Sequence, residues 1–86
     1  MKIFFHKSFA KKYAKLRSSE KKRFKGRRDI FLRDPFDPIL NNHALLGKHQ
    51  GTRSINVTGD LRAVYAIVGK EEVLFVDIGT HSNLYK

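Results

Sequence analysis

Two apolar runs, LRAVYAIV (61–68) and EVLFVDI (72–78), stand only a Gly69-Lys70 turn apart, and they constrain the fold more than any other feature of the chain. Both are rich in β-branched and aromatic residues, and both are apolar at odd and even positions alike. Strands of that kind need cover on two faces and belong in the middle of a sheet. A third run, TRSINVT (52–58), alternates polar with apolar residues and precedes them across a Thr-Gly-Asp turn, so it borders the central pair. Three strands at hairpin spacing form an antiparallel meander.

The cover for that sheet has to come from the first half of the chain. KIFFH (2–6) is a short strand candidate. From Ser8, taken as an N-cap, Phe9, Tyr13 and Leu16 recur at helical spacing. Ser18 and Ser19 interrupt this helix and cap a second one beginning at Glu20, in which Phe24, Phe31 and Leu32, with Ile30 alongside, form an apolar stripe. Asp34-Pro35 ends it, because the residue before proline is pushed out of the α region. Residues 35–51, PFDPILNNHALLGKHQG, read as irregular. The expectation is a single α+β domain over 1–86: an N-terminal strand, a basic two-helix hairpin, then a three-stranded antiparallel meander, all in one twisted sheet. The helices would cover one sheet face and leave the other for a ligand.

Charge gives that domain a direction. Residues 1–33 hold 13 Lys or Arg against Glu20 and Asp29, whereas residues 34–86 hold 5 basic against 6 acidic residues. A basic half of this kind fits a polyanion, most commonly nucleic acid; the alternative is a well-solvated lysine-rich helical surface. No stretch reaches the ~18 apolar residues of a membrane span, and MKIFFHKSF is too short an apolar run for a secretory segment, so a soluble cytoplasmic protein without a membrane partner is expected. Cysteine is absent, which removes disulfides, thiolate nucleophiles and Cys-type zinc sites. The four histidines, His6, His43, His49 and His81, lack metal-ligand spacing, and no nucleotide-loop, metalloprotease or serine-hydrolase motif occurs. Neither metal nor cofactor is expected.

The chemistry left over lies in polar residues that a meander would gather: His43, Arg53, Asn56, Asp60, Arg62, His81 and Tyr85. RNA carries its own nucleophile, the 2′-hydroxyl. Cleaving it needs a base for that hydroxyl, an acid for the 5′ leaving oxygen and cations for the phosphorane. Histidine titrates in the right range, arginine matches two phosphate oxygens, and tyrosine can stack on a base or donate a proton. Duller roles stand beside these. Arg62 is equally readable as an ion-pair partner of Asp60 or Asp77. His43, His49 and His6 can satisfy loop carbonyls, Tyr13 and Tyr65 belong to the core, and His81 with Tyr85 can be a frayed terminus.

The stretch HALLGKHQGTRSINVTGDLRAVY, followed by VLFVDIGTHSNLY, resembles the YafQ branch of the RelE/ParE superfamily of type II toxins. His43-Ala-Leu-x-Gly47 is similar to that branch's His-Pro-Leu-x-Gly, and Gly51-x-Arg53 to its Gly-x-Arg. Asp60 with a strand ending in Tyr65 resembles its Asp turn and apolar strand. Gly79-Thr80-His81 with Tyr85 resembles its Gly-Thr/Ser-His and terminal aromatic, and Arg62-Ala-Val-Tyr65 the superfamily's Arg-x-x-Tyr. The matches cover residues 43–85. Two positions depart from the pattern: Asn56 stands where the branch has a histidine, and Leu61 where it has an aromatic.

The resemblance implies a RelE-like fold and a ribosome-dependent mRNA endoribonuclease that inhibits translation. Its catalytic set would be His43, Asp60, Arg62, His81 and Tyr85. Arg53, Asn56 and Lys48 would bind RNA near the cut, and Lys21, Lys22, Lys25, Arg27 and Arg28 on the helices would dock on ribosomal RNA. The implied partners are a cognate antitoxin and the mRNA and ribosomal RNA of the A site, with the chain a monomer when free and a hetero-oligomer with the antitoxin. Two other readings remain open: a ParE-like gyrase inhibitor that cleaves nothing, and a weakened homologue that only binds the antitoxin.

Overall fold

The computed structural model describes residues 1–84, except for the side chain of Lys48. Its elements in chain order are β1 (Lys2–Phe5), α1 (Lys7–Ala14), α2 (Ser18–Arg33), β2 (His43–Ala44), β3 (Thr52–Asn56), β4 (Leu61–Gly69), β5 (Glu72–Thr80) and the single-turn α3 (His81–Leu84). Short 3-10 turns at Pro38–Leu40 and Gly47–His49 punctuate the loop between α2 and β3. The strands form one sheet in the order β1-β5-β4-β3-β2. The α+β architecture and the antiparallel β3-β4-β5 meander agree with expectation, and the sequence adds two details only in three dimensions. β1 pairs parallel to β5, with Phe5 opposite Phe75. β2, hidden in the stretch read as irregular, extends the far edge by pairing His43 with Ser54 and Ala44 with Arg53.

The core lies between the helices and one sheet face. Phe9, Phe24 and Phe31 pack on Ile55, Val57, Ala63, Tyr65 and Phe75. Phe75, fully buried, lies within 5.5–6.0 Å, centroid to centroid, of Phe5, Phe9, Phe24, Phe31 and Tyr65, most of them in tilted or edge-on geometry. Such aromatic pairs contribute about 0.5–1.5 kcal/mol each beyond the area they bury. Leu32 is 43% exposed, so the stripe of α2 is carried by Phe24 and Phe31 with Ile30 at its margin.

The helix starts differ from the sequence reading, for local reasons. α1 is capped by His6, whose Nδ1 accepts the Ser8 N–H at 3.1 Å. The Ser8 hydroxyl lies 2.7 Å from the same Nδ1 and 3.3 Å from the Val76 carbonyl on β5. α2 begins at Ser18 rather than Glu20, because Glu20 reaches back to accept the Arg17 N–H at 3.0 Å. That bond, together with the Arg17 guanidinium, holds the Glu20 carboxyl below its ordinary range. No described helix is long and apolar enough to cross a membrane.

Candidate functional site

Strand alternation decides which polar residues share a face. Ile55 and Val57 of β3 and Leu61 and Ala63 of β4 point into the core, so Ser54, Asn56, Arg62 and Val64 point to the side away from the helices. Directly opposed residues in an antiparallel pair share a face. Two rows result: His43 beside Ser54 beside Val64, and Asn56 beside Arg62 beside Gly79. With strands ~4.8 Å apart and residues ~3.4 Å apart along each strand, His43 and Arg62 have Cα atoms on the order of 12 Å apart. The two share a face, with the Arg62 guanidinium turned toward the Thr58 and Leu61 carbonyls between β3 and β4.

That face is not bare, as the expectation of a free face implied. The chain turns back over it after β5, so that Leu84 joins Leu45, Val64 and Val76 in a second, small apolar cluster. Leu84 sits over Gly79, where an added Cβ would lie 3.5 Å from Leu84 Cδ2. The turn is anchored at each end. The His81 N–H donates to the Asp60 carbonyl at 3.1 Å, and the Asn83 N–H to Thr80 Oγ1 at 3.3 Å. At its far end the Leu84 carbonyl accepts from His49 Nε2 at 2.8 Å. His81 is therefore held beside Asp60, just before β4 and two residues from Arg62. Sequence reasoning gave His49 only a loop-carbonyl role; the carbonyl it satisfies belongs to the segment that carries His81.

The site's charges and tautomers follow from its bonds. His43 Nδ1 lies 2.8 Å from the Asn41 carbonyl. Because a carbonyl only accepts, Nδ1 carries the proton and Nε2 of the neutral ring keeps its lone pair. Arg62 forms no ion pair with Asp60, and Asp77 is taken by Lys12 at 2.7 Å instead. One Arg62 nitrogen, Nη1, donates to the Thr58 and Leu61 carbonyls at 3.0 and 3.2 Å, while Nε and Nη2 have no partner among the described residues. Ser54 Oγ and Asn56 Oδ1 are shielded from solvent, also without a partner among the described residues. An unpaired buried polar atom costs about 1–3 kcal/mol, so the floor of the site keeps unused hydrogen-bonding capacity. Among the described residues no group of three His, Cys, Asp or Glu could hold a metal ion.

Not all of the expected site converges. Arg53 shares its parity with Ile55 and Val57 and is paired with Tyr65, so it lies on the helix side of the sheet, away from Arg62. Its Nε donates to Asn42 Oδ1 at 2.8 Å, and its guanidinium carbon stands 5.3 Å from the Phe36 ring centroid. The helix cations Lys21, Lys22, Lys25, Arg27 and Arg28 belong to that side as well. Lys22 and Lys25 are exposed, Lys21 lies over the Tyr13 ring, and Arg27 donates to the Ile39 carbonyl at 3.1 Å. Lys22, Arg23 and Arg27 border an open groove of about 680 Å³ with Ser19, Gly26 and Ile39. The chain therefore carries two separate polar surfaces, one on the sheet and one on the helices. Tyr85 and the Lys48 side chain lie outside the described residues.

The loop that carries His43 and His49 owes its path to two glycines. Gly47 (φ +68°) and Gly51 (φ +92°) bracket the 3-10 turn in left-handed backbone that L side chains rarely adopt. These are the glycines of His43-Ala-Leu-x-Gly47 and Gly51-x-Arg53.

Residues 1–86 match the family described as a bacterial toxin of type II toxin-antitoxin system, YafQ. Among solved structures, the chain superposes on YafQ from E. coli strain BL21(DE3) with TM-score 0.79 at 23% identity, covering 98% of this chain and 97% of that one. It superposes on the E. coli DinJ-YafQ complex with TM-score 0.76 at 23% identity, with the same coverage. The archaeal RelE-RelB complex from Pyrococcus horikoshii OT3 follows it with TM-score 0.72 at 19% identity over 92% of each chain. No curated protein matches the sequence.

Proposed function

The chain belongs to the YafQ family of type II toxin-antitoxin toxins, and from that premise we propose that it is an endoribonuclease that cuts mRNA in the ribosomal A site and is silenced by a cognate antitoxin. The observation that carries the reading is the face shared by His43 and Arg62. On it stand a histidine whose Nδ1–H is committed to the Asn41 carbonyl, so that the neutral ring keeps its lone pair on Nε2, and a guanidinium with Nε and Nη2 unengaged among the described residues.

In the reaction, His43 Nε2 takes the proton of the 2′-hydroxyl, whose oxygen attacks the adjacent phosphorus. Arg62 binds the non-bridging oxygens as charge builds on them, and His81 protonates the departing 5′ oxygen, leaving a 2′,3′-cyclic phosphate. Asp60, whose carbonyl accepts the His81 N–H, orients that histidine. Asn56 hydrogen-bonds the RNA, and Tyr85 stacks on a base or supplies a proton. General acid–base groups of this kind contribute about 10²–10⁴-fold each. The helix cations Lys21, Lys22, Lys25, Arg27 and Arg28 grip ribosomal RNA from the opposite side, a contact that weakens with salt. The toxin-antitoxin complexes among the similar structures support a protein antitoxin as the partner.

The test is induced expression of the wild type beside His43→Ala, Arg62→Ala and His81→Ala, with mapping of mRNA 5′ ends. Cleavage by the wild type and its loss in the variants is expected; equal arrest by all four sinks the assignments. Arrest with intact mRNA and a DNA-damage response would point to gyrase, and harmless wild type to an antitoxin-binding role alone.

A further inference from the structure

We propose that Arg53 is a positioning residue for His43, acting through Asn42 from the helix side of the sheet, rather than a phosphate ligand. The proposal rests on His43 being the base of the reading above. Its basis is a chain of side-chain bonds that ends at the residue preceding the histidine. Asn42 Oδ1 accepts from Arg53 Nε at 2.8 Å. Asn42 Nδ2 donates to the Pro35 carbonyl at 2.8 Å and to the Tyr65 hydroxyl at 2.7 Å. One amide thus ties the loop after α2 to β3 and to a core tyrosine that is 3% exposed.

The local backbone turns this anchor into control of the imidazole. Asn41 is left-handed (φ 46°) at the end of the 3-10 turn, and its carbonyl receives the His43 Nδ1–H. Asn42 points to the helix side, and His43, next in the chain, opens β2 and points to the opposite face through its pairing with Ser54. With Asn42 pinned from below, the Asn41 carbonyl and the His43 ring keep their relative geometry, and so does the tautomer that leaves Nε2 basic. Arg53 suits the anchor and lysine does not. A guanidinium can donate from Nε while its carbon stands 5.3 Å from the Phe36 ring centroid, and an ammonium offers no such fixed fork.

The experiment compares Arg53→Ala, Arg53→Lys and Asn42→Ala with the wild-type chain in three measurements. The ¹⁵N shifts of the His43 ring give its tautomer, single-turnover RNA cleavage gives rate and KM, and a non-cleavable 2′-O-methyl oligoribonucleotide gives the salt dependence of binding. If Arg53 positions His43, all three variants shift the His43 ring toward the Nε2–H tautomer, and the double variant Arg53→Ala/Asn42→Ala does no more than either single one. Cleavage then slows about 10- to 100-fold with little change in KM, as for a misplaced catalytic group. The salt slope stays as in the wild type, since no phosphate contact is lost.

Unchanged His43 shifts, with a salt slope reduced by about 0.7 in Arg53→Ala and restored by Arg53→Lys, would make Arg53 a phosphate ligand and overturn the proposal. Unchanged His43 shifts with only a lower melting temperature would make it merely structural and overturn it as well. If Arg53→Ala does not fold, Asn42→Ala carries the same ring measurement. Absence of cleavage by the wild type would end the nuclease reading, while the ring shifts still decide whether Arg53 governs His43.

Discussion

Leu84 and His49 hold the His81 segment against the sheet, and the strength of that latch can be worked out. Leu84 is 4% exposed within the cluster of Leu45, Val64 and Val76, and burying a leucine side chain contributes about 1.5–3 kcal/mol. The bond from His49 Nε2 to the Leu84 carbonyl adds about 1 kcal/mol. Together these oppose the entropy of ordering the turn, and they leave it easier to open than the sheet. Replacing His49 by Ala removes about 1 kcal/mol and so raises the open fraction roughly 5-fold; Leu84→Ala, at about 2 kcal/mol, raises it roughly 30-fold. Amide hydrogen exchange measured by NMR reads this directly. The amides of His81, bonded to Asp60, and Asn83, bonded to Thr80, should exchange faster by those factors, with the β4-β5 ladder around Ala63 unaffected. Uniform acceleration through the ladder would refute the latch as a separate unit, as would unchanged exchange at both reporter amides in both variants. If the chain cleaves RNA as proposed, cleavage should fall in the same order, His49→Ala less than Leu84→Ala.

Other consequences concern stability. Phe75→Ala empties the centre of the aromatic cluster at a cost of about 3–5 kcal/mol, against a total of roughly 4–13 kcal/mol for a chain of this size, so its thermal midpoint should fall by about 15 °C or more. Gly51→Ala and Gly26→Ala both place a Cβ in open space, yet should act oppositely in urea melts. The left-handed backbone at Gly51 costs an alanine about 1–2 kcal/mol, whereas in the middle of α2 alanine gains about 0.5–1 kcal/mol over glycine. Glu20 has a folded-state pKa below its ordinary one, so its contribution is present above the unfolded pKa and is lost as pH falls through the folded value. Glu20→Gln should therefore flatten the decline of the urea midpoint across the acidic carboxylate range; an acid dependence identical to wild type would count against the cap.

Much of the fold was written in local patterns. LRAVYAIV and EVLFVDI, apolar at both parities, become β4 and β5, adjacent interior strands of the five-stranded sheet. Asp34-Pro35 stops α2 at Arg33, since proline removes the α conformation from the residue before it. Helix starts were less legible because the His6 imidazole caps α1 and the Glu20 carboxylate reaches back to the Arg17 N–H at the start of α2, roles expected of serines. β2 could not be seen in HALLG, because two residues carry no periodicity and become a strand only when β3 offers its edge. Of the candidate site, His43, Asn56, Asp60, Arg62 and His81 were legible as residue types in a meander, and the pairing of the strands places them on one face or its rim. Arg53 was misjudged as a companion of Arg62. Counting strand parity from Ile55 and Val57 would have put it with the core, but the sequence does not say that Asn42 and Phe36 wait there to receive it.

What the sequence determined by itself is what short-range chemistry controls: which stretches are helical or extended, where proline and glycine bend the chain, and the segregation of 13 cations into the first 33 residues. What only the tertiary structure decided is which face each polar group serves. The parallel docking of β1 on β5, the return of Leu84 onto Leu45 and Val64, and the Arg53-Asn42-Tyr65 network on the reverse of the His43 loop all join residues well separated in the chain. Contacts of that kind depend on how buried apolar surface closes the sheet in space, and no periodicity in the sequence encodes them.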